Sequence, residues 1–185
     1  LDSGTFWLSD TPEVVASTSW GNRITRICTW GRFLHKPSGK TFYHFNTHFD
    51  HQSQPSREKS AVLLAKRIAD REHPDPVVVT GDFNAGEFNK AILYLKGDLD
   101  AEGKSPVPLV DTFRLLHANA AQVGTFNGFY GIRSGDKIDY IFVEPGTDVV
   151  EARILHDHEQ NRYPSDHFPL LARIALPSKS AANSR

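Results

Sequence analysis

Methionine is absent from all 185 residues, and cysteine occurs once, as Cys28. Without methionine, Leu1 is not expected to start a primary translation product. The chain is expected to be processed or to lack an upstream portion, where any targeting segment would lie, so no compartment is assigned. One cysteine excludes an internal disulfide framework, and no Cys/His set has zinc-finger spacing. Neither sign of charge is in excess: Lys plus Arg is 21, Asp plus Glu is 22, and the net charge is -1. That balance excludes a protein held on nucleic acid or an anionic membrane by bulk charge, though not a local basic patch. Long apolar runs are also missing. The longest, Ala61 to Ala65 and Ala91 to Leu95, fall far short of the roughly 20 residues that span a bilayer, so no membrane span is expected.

What is present is a single domain's worth of alternating strands and helices, long enough to bury a core without staples. A short run, Thr5 to Leu8, closes at the turn Ser9-Asp10-Thr11-Pro12. Ile24 to Leu34 reads as a strand and Thr41 to His48 as its hairpin partner, joined by the turn Lys36-Pro37-Ser38-Gly39. A helix capped by Ser56 is predicted from Ala61, Leu64, Ala65, Ile68 and Ala69, which recur at helical spacing, and it stops before Pro74. Val77 to Thr80 is a continuous apolar run, the mark of a strand buried on both faces. Further helices are expected over Glu87 to Lys96 and Asp111 to Ala118, and strands over Ile138 to Val143, Val149 to Leu155 and Phe168 to Ala175. The domain is expected to occupy 1–176, with 177–185 a flexible tail. Neither an internal repeat nor an interdomain linker is evident.

Four polar clusters stand at the ends of these strands: Asn46 to His51, Gly81-Asp82-Phe83-Asn84, Lys137 to Tyr140, and Ser165-Asp166-His167. Taken singly, each has a bland reading as a turn or a cap. Together they would gather carboxylates and imidazoles at one rim, which is costly unless a cation or substrate offsets it. Such a rim suits metal-assisted phosphoryl hydrolysis. Mg²⁺ binds through a few carboxylates and phosphate oxygens, and an Asp-oriented His moves a proton near neutral pH.

Thr47-His48, Gly81-Asp82-Phe83-Asn84, Ile138-Asp139-Tyr140 and Ser165-Asp166-His167, in that order, resemble the endonuclease/exonuclease/phosphatase superfamily. Phe6 to Pro12 and Arg26 to Trp30 resemble a bacterial branch of it, and the similarity runs from about Phe6 to Leu176. The resemblance implies an α/β fold, an α-β-β-α four-layer sandwich of two mixed sheets, and a Mg²⁺-dependent phosphodiesterase, with Mn²⁺ as substitute. It also implies a catalytic set. His48 bonds the scissile phosphate and is a candidate to protonate the leaving oxygen, Asp82 positions the attacking water, Asn84 holds a phosphate oxygen, and Asp139 orients the catalytic His167. Asp166 becomes a metal ligand, with Asp82 and Asn84. Arg26, with Arg23 as competitor, is the expected phosphate-contacting arginine, and Asn127 a further candidate. The family's upstream segment, with a metal-binding Asn and Glu, has no counterpart before Leu1, so an N-terminal part of the sandwich is expected to be missing.

Nucleic acid, phospholipid or a small phosphodiester would each suit this constellation, acted on by a monomer. Two other readings stand beside it. One is a relative that binds phosphate without turnover. The other is a zinc hydrolase of metallo-β-lactamase type, in which Asn46-Thr47-His48-Phe49-Asp50-His51 would be the ligand run despite Asn46 at its first position.

Overall fold

The computed structural model describes residues 1–101 and 103–176; the expected tail at 177–185 lies outside the described residues. Along the chain come β1 (Asp2–Trp7), β2 (Ile27–His35), β3 (Lys40–His48), α1 (Gln54–Ala69) and β4 (Val77–Asp82). They are followed by α2 (Lys90–Lys96), β5 (Val110–Asp111), α3 (Thr112–Leu116), β6 (Asp139–Val143), β7 (Asp148–Ile154) and β8 (Leu170–Ala175). The first six strands in chain order form one sheet in the order β1-β2-β3-β4-β6-β5, while β7 and β8 form a second. The large sheet is mixed: β3 and β4 run parallel, and the other neighbours antiparallel. The α/β architecture of a mixed sheet with a second sheet is as expected, but where two mixed sheets were expected the second is, among the described residues, an antiparallel pair.

The parallel pair dictates the rest. Two parallel neighbours need a crossover, and α1 supplies it. The helix begins one turn earlier than its apolar spacing suggests. Ser53, not Ser56, is the N-cap, with its Oγ accepting the Ser56 N–H, because Pro55 in the first turn needs no hydrogen bond there. Ser56 is buried within the helix instead. α2, by contrast, starts later than Glu87. Asn89 is its cap, and Gly97, at φ +79°, closes it in the left-handed region that glycine adopts freely.

β4 is buried from both sides, as its unbroken Val run requires. Val77 and Val79 join the core under α1 and α2, with Tyr43, Phe45, Leu64, Ile68 and Ile92. Val78 faces the opposite way, into a second cluster built on Phe113, Val143, Val149, Ile154 and Phe168, which holds α3 and the β7–β8 pair against the sheet. The strand also outruns its apolar residues. It continues to Asp82 because β3 and β6 still pair with it there.

Candidate active site

Strand register places the first three side chains. His48, the last residue of β3, lies opposite Asp82, the last residue of β4. Asp82 in turn lies opposite Asp139, the first residue of β6. Opposed residues on neighbouring strands project from the same face, so one row across three strand ends reads His, Asp, Asp. Gly81 makes this row tight. A Cβ there would stand 2.0 Å from the main-chain oxygen of Thr47, so only glycine lets β3 and β4 approach this closely beside Asp82.

The fourth side chain comes from a distant part of the sequence. Phe126 bridges to His167, and Phe168 N–H donates to the oxygen of Thr125 at 2.7 Å. The buried Thr125 hydroxyl accepts the N–H groups of both Ile138 and Asp139, at 3.0 and 3.2 Å. Thr125 thus ties the His167 segment to the start of β6. The result is a chain of four groups. His167 Nδ1 donates to Asp139 Oδ2 at 2.8 Å, its Nε2 lies 3.9 Å from Asp82 Oδ2, and His48 Nε2 lies 3.2 Å from that same oxygen.

Two carboxylates side by side repel, and their surroundings separate them. Burial pushes the Asp82 carboxyl up, but hydrogen bonds from His48 and the Asn84 N–H, with two nearby imidazoles, outweigh it and hold it below the ordinary range. Burial also pushes Asp139 up, and there it prevails over the bonds from His167 and Thr125. Burial lowers His167, but the bond to Asp139 and the charges of Asp139, Asp82 and Asp166 override it, leaving the imidazole above its usual value. The surroundings thus favour the charged form of Asp82 and the protonated form of the imidazole beside it.

Asp82, Asp139 and His167 line a cleft of about 310 Å³ between the large sheet and the segment leading into β8, walled by Thr80, Ile141, Ser165 and Leu170. A larger cavity, about 510 Å³, lies on the α1 side among Trp30, Tyr43, Lys66 and Arg67 and is lined by none of the four. Size does not mark the site here; the convergence of titratable groups does.

Donor atoms of Asp82, Asp139 and His167 all lie within 4.8 Å of one another, close enough to share one ion. Two carboxylate oxygens and one imidazole nitrogen fit a hard or borderline divalent cation that keeps waters in its other positions. Asp166 is not in this group. Its main-chain oxygen accepts the N–H groups of Asn127 and Gly128, and its carboxylate lies 3.4 Å from Ser165 Oγ. Asn84, at φ +48°, donates its side-chain N–H to Phe49 O at 3.0 Å, bracing the end of β3 against the turn after β4.

Two expected phosphate contacts are committed elsewhere. Asn127 is 1% exposed. Its amide donates to Ser165 O at 3.2 Å and accepts the Phe129 N–H at 2.8 Å, so it shapes the loop and has no face open to a substrate. The Arg26 side chain, 10% exposed, donates to His51 Nδ1 at 3.0 Å and lies 3.8 Å from Asp50 Oδ2, neither of which belongs to the four-group row. The zinc ligand run likewise does not converge: Asn46 bonds Thr80, His48 meets Asp82, His51 turns to Arg26, and Asp50 accepts the N–H groups of Gln52 and Ser53. Among the described residues that run forms no metal group, and the metallo-β-lactamase reading falls. Thr125 was missed by sequence reasoning; its only signal was its place in a glycine-rich segment between two motifs.

A model of the Endonuclease/Exonuclease/phosphatase family matches residues 4–167. A solved endonuclease/exonuclease/phosphatase from Bacteroides vulgatus is 34% identical with a TM-score of 0.82, covering 96% of this chain and 66% of its own. A mannosyl-6-phosphatase from Bacteroides thetaiotaomicron is 31% identical with a TM-score of 0.78, covering 95% of this chain and 66% of its own. An uncharacterised protein of Acanthamoeba polyphaga mimivirus is 28% identical over 175 residues, 89% of this chain and 62% of its own. The chain therefore spans a little under two thirds of the length of these relatives.

Proposed function

The chain belongs to the endonuclease/exonuclease/phosphatase family, and from that premise we propose that it carries the proton-handling part of a divalent-metal-dependent phosphoester hydrolase. The observation that carries this reading is the row His48, Asp82, Asp139 with His167 closing on it. Asp82, ionised, accepts a hydrogen bond from the attacking water and aims it at phosphorus. His167, its Nδ1 tied to Asp139, turns Nε2 into the cleft, where its proton meets a phosphoryl oxygen. Asp139 acts through His167 and is a positioning residue. His48 is the second imidazole on Asp82 and bonds the phosphate from the other side. General acid–base groups of this kind contribute on the order of 10²–10⁴-fold.

Mg²⁺ or Mn²⁺, when bound, supplies positive charge to the phosphoryl oxygens. Asp82, Asp139 and His167 would hold it in the arrangement described, while Asp166 and Asn84 are the ligands that the family resemblance proposes. These assignments compete for His167. A metal titration of hydrolysis separates them: with Asp166 as ligand, Asp166→Ala raises the Mg²⁺ midpoint and His167→Ala lowers kcat without moving it. A raised midpoint in His167→Ala gives the imidazole to the metal instead.

The substrate class proposed first is a phosphodiester. A sugar phosphomonoester is the second reading, favoured by the likeness to the mannosyl-6-phosphatase. A panel of both, assayed with Mg²⁺ and again after chelation, tests the proposal. Hydrolysis lost on chelation supports it; phosphate binding with no turnover on any substrate overturns it in favour of a non-catalytic relative.

A further inference from the structure

Behind the rim sits a charge with no contact to solvent. The Lys137 side chain is 0% exposed, and its Nζ lies 2.7 Å from Asp111 Oδ2. The same Nζ is 3.2 Å from the Tyr140 ring centroid and 3.4 Å from the main-chain oxygen of Asp139. The Tyr140 hydroxyl meets two main-chain oxygens, Lys137 at 2.7 Å and Ala85 at 2.9 Å. Asp111, besides pairing with Lys137, caps α3 by accepting the Phe113 and Arg114 N–H groups. Arg114 then pairs with Glu87 in the turn beyond Asp82. The circuit is closed: the turn after Asp82, the start of α3 and the residues entering β6 are joined by one buried polar hub.

Stability does not require such a hub. Replacing a buried ion pair with apolar side chains of similar volume is often neutral or stabilising, whereas removing one partner leaves a stranded charge. The hub's location says more. Lys137 is two residues before Asp139 and touches its carbonyl, and Tyr140 follows Asp139 directly, so Asp139 is gripped on both sides. Its carboxylate must meet His167 Nδ1 while staying beside Asp82, and a small rotation of this backbone would misdirect the imidazole.

We propose that Lys137 is a positioning residue, a buried cation that fixes the Asp139 main chain and through it the orientation of His167 toward Asp82. The proposal rests on the reading of Asp139 and His167 as the proton-handling pair. Asp139 is placed by Lys137 below it and Thr125 beside it, and the imidazole inherits that placement.

The test uses Lys137→Met and the double variant Lys137→Met with Asp111→Asn. In the double variant no charge is stranded, and asparagine still caps α3. Three quantities are read: the denaturant midpoint, the NMR signal of the His167 Nδ1 proton in histidine-labelled protein, and phosphoester hydrolysis with Mg²⁺. The double variant is expected to keep a midpoint near the parent's. Its Nδ1 proton should exchange faster, and kcat should fall about tenfold or more with KM unchanged, as when an outer support of a site is lost. Failure of Lys137→Met alone to fold is the expected result of stranding Asp111, and the double variant then decides. Parent-like proton exchange and kcat in the double variant would overturn the proposal. So would its failure to fold, which would make the pair a stability element. Should the parent hydrolyse no phosphoester, the functional reading fails, and the proton signal still decides the placement.

Discussion

His48 and His167 both reach Asp82, but they are held differently. The His48 side chain is 55% exposed, ends a strand, and meets Asp82 as its partner. The His167 side chain is 25% exposed, bonded to Asp139 through Nδ1, and faced edge-on by the Phe126 ring at 5.3 Å. Its backbone is fixed by Ser165 Oγ and by the bridge to Phe126. One imidazole is oriented before any ligand arrives; the other has room to follow one. Proton transfer needs the first property, because a misaligned donor loses rate steeply, and gripping a phosphate tolerates the second.

The largest effect should come from the one ring that supports both sides. Phe83 packs edge-on against Phe49, which follows His48, and against Tyr140, which follows Asp139. Phe83→Ala should cost about 3–5 kcal/mol, as a fully buried Phe usually does, measured by denaturant unfolding. A loss below about 1 kcal/mol would mean the two sides are anchored independently. Next, His167→Ala should lower kcat on the order of 10²-fold or more. Asp139→Asn should lose much of that, and the double variant should be little worse than His167→Ala, because both disable one unit. Additive losses would break the comparison by making Asp139 a separate contributor. His48→Ala should do less, on the order of tenfold and mainly in KM, the worth of one charged hydrogen bond.

The smallest effect concerns acid. Burial pushes the Glu87 carboxyl up, yet its bonds from Arg114 and the nearby charges of Lys137, Arg114 and Lys96 bring it below the usual glutamate value. A carboxyl depressed in the folded state adds stability that is present above its unfolded pKa, about 4.3, and lost as pH falls through the folded one. Glu87→Gln should therefore destabilise at neutral pH, with the difference from the parent vanishing in acid. Unfolding free energies measured across that window would check it, and a difference that persists at low pH would mean packing, not charge, is what Glu87 supplies.

The sequence made the chemistry readable and hid the support. Asp82 stands out because a carboxylate ends an apolar strand, and Ile138-Asp139-Tyr140 and Ser165-Asp166-His167 gain meaning from their order. Their convergence depends on register, which no local pattern shows: one residue of slip between β3 and β4 would turn His48 to the α1 side. Lys137 showed in the sequence only as the first residue of a polar cluster, because its partner, Asp111, lies 26 positions earlier. Arg26 and Asn127 looked like substrate contacts for the converse reason. A polar side chain near a motif reads the same whether it faces a ligand or satisfies the backbone, and here Asn127 does the latter. The start of α1 was misjudged for a simpler reason: two serines three residues apart both suit a cap, and the choice lay with Pro55.

The missing side chain at Gly81 sets a constraint on how this site can change. Because even one methyl would collide with Thr47, every substitution at Gly81 must push β3 away from β4, directly beside the pair His48 and Asp82. Side chains around the cleft can be exchanged one at a time to suit different substrates, each at its own local cost. Gly81 cannot be traded in that way. A lineage that diversified this cleft could redraw its walls freely, but it would have to carry this bare position through every version.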